Sequence, residues 1–280
     1  MTAAMAKELQ DKVCFIAGAS GAIGSAVASL FFREGARLAL AGRARKADWA
    51  LGDRSASDRV LHLQFDVRRW QEAREAVARA HDRFGALHVL VNCSGIQGPI
   101  GPAHALDPDD WARAIEVNLL GAFHLVRAAA PLMIAQGAGR IIHFSGGGAA
   151  YARPFFTAYA ASKAAVVRLT ECLAEELRGS GVQINTIAPG PVRSRMWDQM
   201  RAAGAAAGAK ALHEIAQMEE TGGVSPDRAA ALALFLASSR SDGLTGRLIS
   251  GIHDRWEEFP KKIPAIMKTE GGTLRRVPLD

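Results

Sequence analysis

Tyr159 and Lys163 are the two side chains whose types and spacing suggest chemistry most directly. They are four residues apart, so on a helix they share one face and lie one turn from each other. A lysine cation held beside a phenol favours the phenolate and lowers the pKa of the phenol from its usual value of about 10. We therefore predict that Tyr159 is a general acid and base, with its pKa lowered by Lys163.

A glycine-rich turn near the beginning of the chain predicts a nucleotide-binding site. The apolar run Val13–Ala17 stops at Gly18-Ala19-Ser20-Gly21-Ala22-Ile23-Gly24, after which apolar residues recur at helical spacing. Glycines between a strand and a helix allow a tight turn and let backbone N–H groups approach a pyrophosphate. A second apolar run follows at residues 37–41. This order is that of a dinucleotide-binding βαβ unit.

The two segments together resemble the short-chain dehydrogenase/reductase family, whose glycine loop reads T-G-x-x-x-A/G-x-G and whose catalytic motif reads Y-x-x-x-K. Four further segments are similar to the family's other motifs, in the family's order: Asp66 at the end of an apolar run, Asn92-Cys93-Ser94-Gly95, Asn118, and the Pro-Gly-Pro-Val-Arg-Ser segment at 189–194. The resemblance spans roughly residues 10–250. It implies an α/β fold of the Rossmann type, in which helices cover both faces of a doubly wound parallel sheet.

The resemblance also implies an activity and a set of site residues. The activity is the NAD(P)-dependent interconversion of a secondary alcohol and a ketone by hydride transfer, on a small-molecule substrate. In this pattern Tyr159 is the acid and base, Lys163 also holds the nicotinamide ribose, and Asn118 supports a proton-relaying water. The positions that match the family's cofactor contacts are Gly18, Ser20, Ala22, Ile23, Gly24, Asp66, Val67, Asn92, Gly95, Tyr159, Lys163, Pro189, Gly190, Val192 and Ser194.

The end of the second predicted strand bears on the choice of cofactor. An acidic side chain at this point would bind the adenosine ribose hydroxyls and repel a 2′-phosphate. Gly42 stands there instead, followed by Arg43, with Arg45 and Lys46 nearby. Because this positive charge suits a 2′-phosphate, we add Arg43 to the cofactor-binding residues and favour NADP(H), with NAD(H) as the alternative.

One position departs from the family pattern at the catalytic centre. The serine that orients the substrate oxygen in the family stands thirteen residues before the tyrosine, where this chain has Gly146, with Ser145 one position earlier. Either Ser145 or a backbone N–H of the glycine run supplies that hydrogen bond, or the chain is a non-redox dehydratase or isomerase, or a silent NADP(H)-binding sensor. Losing one such donor costs on the order of 10²–10³ in rate, which weakens catalysis without abolishing it. We therefore favour an oxidoreductase with Ser145 as its fourth catalytic residue.

The chain of 280 residues is expected to form one such domain, because strand candidates alternate with helical segments. The strand candidates are 13–17, 38–41, 60–65, 87–91, 140–144, 182–187 and 247–250. We predict an N-terminal arm at 1–10, the Rossmann domain at 11–252 and a C-terminal extension at 253–280. The extension mixes aromatics with charges, so it either docks over the active site or a partner subunit, or is a disordered tail.

Composition limits the remaining possibilities. The net charge is +6, but the basic residues are scattered, which argues against nucleic acid as a partner. Cys14, Cys93 and Cys172 fall in predicted core elements away from metal-ligand spacing, so we predict reduced, buried thiols and no metal site. No run approaches the ~18 apolar residues of a membrane span, which predicts a cytoplasmic protein. The family resemblance implies a homodimer or homotetramer.

Overall fold

Short runs of Val, Ile, Leu and Ala become parallel strands in the computed structural model, which describes residues 7–44, 51, 57–277 and 279. Within these residues seven strands form one sheet in the order β3-β2-β1-β4-β5-β6-β7. The strands are β1 (Val13–Ala17), β2 (Arg37–Gly42), β3 (Val60–Gln64), β4 (Val89–Asn92), β5 (Gly139–Phe144), β6 (Val182–Ala188) and β7 (Leu248–Ser250). The predicted doubly wound fold and all seven predicted strands are confirmed, with ends that differ by one or two residues.

Helices cover both faces of this sheet. They are α1 (Ala22–Arg33), α2 (Trp70–Phe84), α3 (Pro108–Ile115), α4 (Gly121–Gln136), α5 (Thr157–Glu176), α6 (Arg195–Ala203), α7 (Gly208–Thr221), α8 (Pro226–Ala237) and the short α9 (Ile263–Ile266). One apolar layer lies between the sheet and the helices α1 and α8, and the other lies between the sheet and α2, α4 and α5. Because every inner strand is covered twice, its apolar run is continuous and not alternating.

A single helical segment, residues 108–136, carries Asn118 into the interior. Asp107 caps its first turn, since its carboxylate accepts hydrogen bonds from the backbone N–H groups of Asp109 and Asp110, both at 2.9 Å. Between α3 and α4 the segment widens into a π-helical turn (Glu116–Leu120), in which the side chain of Asn118 is buried. Such turns are frequent at functional sites.

The same segment corrects one expectation. The helix Pro108–Gln136 contains an 18-residue stretch with a mean hydropathy of 1.5. The helix is therefore long and apolar enough to cross a membrane, although we expected no such segment. Half of that stretch is buried inside the protein, where α4 packs on the sheet and α2. The apolar composition is therefore explained by burial on one side of a core helix.

The cysteines also differ from expectation in part. All three are free thiols, and Cys14 in β1 is buried as predicted. Cys93 is only partly buried, and Cys172 is exposed. The prediction of burial was wrong for Cys172 because it lies four residues after Arg168, on the side of α5 that faces away from the sheet.

The described part of the C-terminal extension packs on its own chain. Trp256, with 6% of its surface exposed, stacks at 5.8 Å on Phe235 of α8. Farther along, the backbone N–H of Leu248 at the outer edge of β7 donates to the carbonyl of Gly272 at 2.7 Å. The extension thus covers α8 and the free edge of the sheet, while the division of the chain at residue 252 stays a prediction.

We expect Trp256→Ala to lower the free energy of unfolding by about 3–5 kcal/mol, because it removes a large buried ring and leaves a cavity against α8. Urea unfolding followed by circular dichroism measures this change. Leu279→Ala is the matched control, since Leu279 is 94% exposed and should unfold like the wild type. Equal stability of both variants would show that the extension is not docked in solution.

Candidate active site

The glycine loop after β1 brings two backbone segments closer than side chains would allow. Gly18 has a φ of +72°, and a β-carbon built on it would lie 2.8 Å from the backbone of Cys93 and Ser94, which follow β4. A β-carbon on Gly24 would lie 2.3 Å from the carbonyl oxygen of Gly18. The loop therefore forms a tight cradle at the carboxyl ends of β1 and β4, where a dinucleotide binds in this fold.

The beginning of α1 offers free donors to an anion at this cradle. Gly21 is the N-cap, no side chain caps the helix, and its first turn contains no acidic residue. Ser20, Ala22 and Ile23 are all partly exposed there. Backbone N–H groups and the positive end of the helix dipole suit a pyrophosphate. The residues present therefore fit the adenine dinucleotide that the sequence predicts.

The ends of β2 and β3 carry opposite charges. Arg43 is exposed directly after Gly42 and acts electrostatically on Asp66, which follows β3. Asp66 is held by the guanidinium of Arg68 at 2.6 Å, which lowers the pKa of its carboxyl. Val67 packs against Gly121 of α4, where a β-carbon would lie 2.8 Å from its methyl groups. Arg45 and Lys46 lie outside the described residues.

Asn118 ties three parts of the site together. Its side-chain oxygen accepts a hydrogen bond from the N–H of Ile96 at 2.9 Å, and its amide nitrogen donates to the Ile96 carbonyl and to Ser162 Oγ, both at 3.0 Å. A β-carbon on Gly95 would lie 3.3 Å from the Asn118 oxygen and 3.5 Å from Lys163 Nζ. Asn118, Gly95 and Lys163 therefore lie together at the site. Asn92 is buried beside them and accepts a hydrogen bond from the N–H of Ser94.

Lys163 is buried on α5, and its ammonium donates to the carbonyl of Phe144 at the end of β5, at 2.8 Å. This bond fixes α5 to the sheet at the site. Burial lowers the pKa of Lys163 to about 8, because the charged form loses its hydration. The Nζ atom lies 5.7 Å from the centre of the Tyr159 ring, so the pair shares one face of the helix as predicted.

The acidity predicted for Tyr159 is not what this arrangement gives. Burial raises the pKa of Tyr159 to about 12, and Arg153 is the charge that opposes this shift most strongly. Our expectation of a pKa lowered by Lys163 was wrong for two reasons: the ammonium is directed at the Phe144 carbonyl, and the phenol loses hydration when it is buried.

The phenol of Tyr159 lies against Gly146, the position where the family has its serine. A β-carbon built on Gly146 would lie 2.2 Å from the phenol oxygen, so any larger residue at this position would force the Tyr159 ring to move. Ser145 is buried and its hydroxyl donates to the backbone carbonyl of Lys163 at 3.5 Å. The hydroxyl is thus bonded to helix backbone, and a catalytic role for Ser145 stays a prediction.

The segment after β6 covers the site from the other side. Gly190 has a φ of +82°, and a β-carbon there would lie 3.0 Å from Ile252; Pro189 and the buried Val192 flank it. Ser194 is the N-cap of α6, and its hydroxyl makes no capping bond. The methyl of Met196, in the first turn of α6, would lie 3.3 Å from a β-carbon on Gly95. The segment that follows Ser194 is therefore helical, and its first turn reaches the site.

Two residues of the candidate active site were not predicted from the sequence. Met196 lies at the junction of Gly95, Asn118 and Lys163, and Arg153 lies beside Gly147. Neither belongs to a motif, since their places arise from how the loops after β5 and β6 fold back over the strand ends. Among the described residues, no group of three or more His, Cys, Asp or Glu is arranged to hold a metal ion.

The parallel sheet, the glycine cradle and the cluster of Tyr159, Lys163 and Asn118 define an NAD(P)-dependent oxidoreductase with a Rossmann-type fold. The family model for short chain dehydrogenases matches residues 12–205. The chain therefore belongs to the short-chain dehydrogenase/reductase family.

Relatives and solved structures agree with this assignment. D-threitol dehydrogenase of Mycolicibacterium smegmatis is 33% identical over 248 residues, which is 85% of this chain and 90% of that protein. The 3-oxoacyl-acyl-carrier-protein reductase of Thermotoga maritima is 33% identical over 86% of this chain and 96% of its own. The crystal structure of levodione reductase aligns with a TM-score of 0.77 and 26% identity, over 86% of this chain and 96% of that one.

We expect Gly146→Ser to destabilise the fold by about 1–3 kcal/mol, because the new side chain occupies the place of the Tyr159 oxygen and forces the ring to move. The free energy of unfolding in urea measures this. Gly271→Ser is the control, because Gly271 is exposed and its nearest neighbour is the flexible Thr269 hydroxyl at 3.3 Å. If Gly146→Ser matches the control, the phenol does not rest on Gly146.

Proposed function

We propose that this protein interconverts a secondary alcohol and a ketone with NADP(H). The observation that carries the proposal is a cluster of three side chains. Tyr159 lies against Gly146, the Lys163 ammonium lies 5.7 Å from the Tyr159 ring, and Asn118 is bonded to Ser162 of α5. A phenol of this kind is a proton donor to a carbonyl oxygen and, as phenolate, an acceptor from an alcohol.

Each residue of the cluster has a proposed task. Tyr159 moves a proton to or from the substrate oxygen, and Lys163 lies where it would hold the nicotinamide ribose. Asn118 is fixed by Ile96 and Ser162, so it would orient the water through which the proton exchanges with solvent. A bound nicotinamide supplies or accepts the hydride. Ser145 remains a candidate fourth member only if its hydroxyl leaves the Lys163 carbonyl.

The proposal favours NADP(H) over NAD(H). The side chain after β2 is the exposed Arg43, and Gly42 leaves no carboxylate to repel a 2′-phosphate. A guanidinium binds phosphate through charge-assisted hydrogen bonds. The pyrophosphate would lie at the beginning of α1, near Ser20, Ala22, Ile23 and Gly24, and the nicotinamide near Gly95 and the segment 189–194.

We propose a small polar or cyclic substrate. D-threitol and levodione, in the names of the similar dehydrogenase and reductase, are molecules of this kind. Met196 offers an apolar contact at the site, and Trp197 lies beside it on α6. The non-redox and sensor alternatives rested on the loss of serine at Gly146, and they gain no support from these relatives.

We further propose a cytoplasmic homodimer or homotetramer. Leu120, Phe123 and Ile134 are large apolar side chains that stand exposed along the segment Pro108–Gln136, on the side turned away from the sheet. Their spacing of three and eleven residues keeps them on one stripe of the helix. A second copy of the chain would cover this stripe, as the family's pairing through such helices implies.

We expect Tyr159→Phe to lose ketone reduction by at least about 10³-fold, since the ring remains but the proton donor is gone. NADPH and NADH oxidation against a panel of polyol-derived ketones, sugars and cyclic diketones measures this. Titration of tryptophan fluorescence with NADPH is the control, and the variant should bind like the wild type. Turnover that survives in the variant, or wild-type binding without any turnover, would contradict the proposed function.

Arg43→Ala should weaken NADPH binding by about 10- to 100-fold, because it removes a charge-assisted contact worth about 1.5–3 kcal/mol, and it should leave NADH binding nearly unchanged. Isothermal titration with each cofactor measures the two affinities. Arg113→Ala, a change of an exposed arginine at the far end of α3, is the matched control. An equal loss for both cofactors would contradict the preference for NADP(H).

A further inference from the structure

The three glycines after β5 form a platform on which two side chains lie. A β-carbon on Gly146 would lie 2.2 Å from the Tyr159 oxygen, and one on Gly147 would lie 2.5 Å from Nη1 of Arg153. A β-carbon on Gly148 would lie 3.0 Å from Cβ of Arg153. Arg153 therefore extends along the glycines from 148 to 147, and its guanidinium stops next to the position that the phenol of Tyr159 occupies.

Arg153 is held firmly in this place. Its Nη2 atom donates to Glu214 of α7 at 2.7 Å and contacts Met200 Sδ of α6 at 3.4 Å, and its guanidinium lies 4.7 Å from the centre of the Phe156 ring. The side chain is 15% exposed, and its Nε atom is buried without a hydrogen-bond partner among the described residues. A buried arginine donor without a partner is costly, which points to a function for the group.

The charges around Tyr159 come from each element that packs near it. Arg153 and the phenol of Tyr151 lie on the loop after β5, and Lys163 lies on α5 with its ammonium on the Phe144 carbonyl. Glu214 of α7 partly neutralises Arg153. Lys210 of α7 lies 5.0 Å from the Tyr151 ring. Among these groups Arg153 has the strongest charge effect on the phenol, in the direction that favours the phenolate.

We propose that Arg153 is a positioning residue that favours the phenolate of Tyr159 from the glycine platform, and that Glu214 of α7 sets how strongly it does so. The proposal rests on the proposed function, in which Tyr159 is the acid and base. It assigns to a guanidinium part of the electrostatic task that the sequence assigned to Lys163. It also couples the acidity of Tyr159 to the helices that cover the site, because Glu214 and Met200 belong to them.

The chain contains two tyrosines, so the phenol can be followed directly. With ¹³Cζ-labelled tyrosine in a Tyr151→Phe background, a single NMR signal reports the ionised fraction of Tyr159 at each pH up to 11.5, without any substrate. The pKa, which we expect at about 12 in the parent, is obtained from that fraction. We expect Arg153→Met to raise the pH of half-ionisation by about half a pH unit or more, and Arg153→Lys to stay within that margin. Glu214→Gln should lower it, because the compensating carboxylate is gone.

Arg195→Met is the matched control, since Arg195 is exposed on α6, and it should titrate like the parent. Near-ultraviolet circular dichroism would confirm that each variant keeps its tertiary packing. An unchanged signal in Arg153→Met or in Glu214→Gln, or an equal shift in Arg195→Met, would overturn the proposal. The readout needs no turnover, so a shifted signal in a protein without reductase activity would reject the proposed function and leave this inference standing.

Discussion

The contact between the phenol of Tyr159 and the bare α-carbon of Gly146 is the constraint on which the site depends. A β-carbon at 146 would collide with the phenol oxygen, so glycine at this position lets the ring lie where it does. Burial removes water from the phenol and raises its pKa, which makes neighbouring charge decisive for its chemistry. In this protein the glycine at the family's serine position and the placement of Tyr159 are therefore coupled.

Two further bonds hold this arrangement against the sheet. The Lys163 ammonium donates to the carbonyl of Phe144, which joins α5 to the end of β5, and Asn118 joins the π-helical turn to Ile96 and α5. All these groups lie at the carboxyl ends of the parallel strands, where the glycine loop after β1 also opens. The fold thus brings residues from distant parts of the chain into one place by strand order alone.

Because strand order brings these residues together, much of the fold and of the candidate site could be predicted from the sequence. The strands could be predicted because a strand that is covered on both faces is a continuous apolar run. The meeting of Asn118, Lys163 and Gly95 followed from motif order. Properties that depend on packing could not be predicted from the sequence, namely the raised pKa of Tyr159 and the exposure of Cys172. The positions of Arg153 and Met196 could not be predicted either, because they depend on how loops fold over the strand ends.

A crystal structure of the protein with NADPH bound tests the central claim most directly, through the neighbours of the Tyr159 oxygen. We predict that the phenol stays against Gly146, that Arg153 lies along Gly147 with its bond to Glu214, and that Ser145 keeps its bond to the Lys163 carbonyl. A phenol turned away from Gly146, with Ser145 rotated into the site and Arg153 directed to solvent, would contradict it.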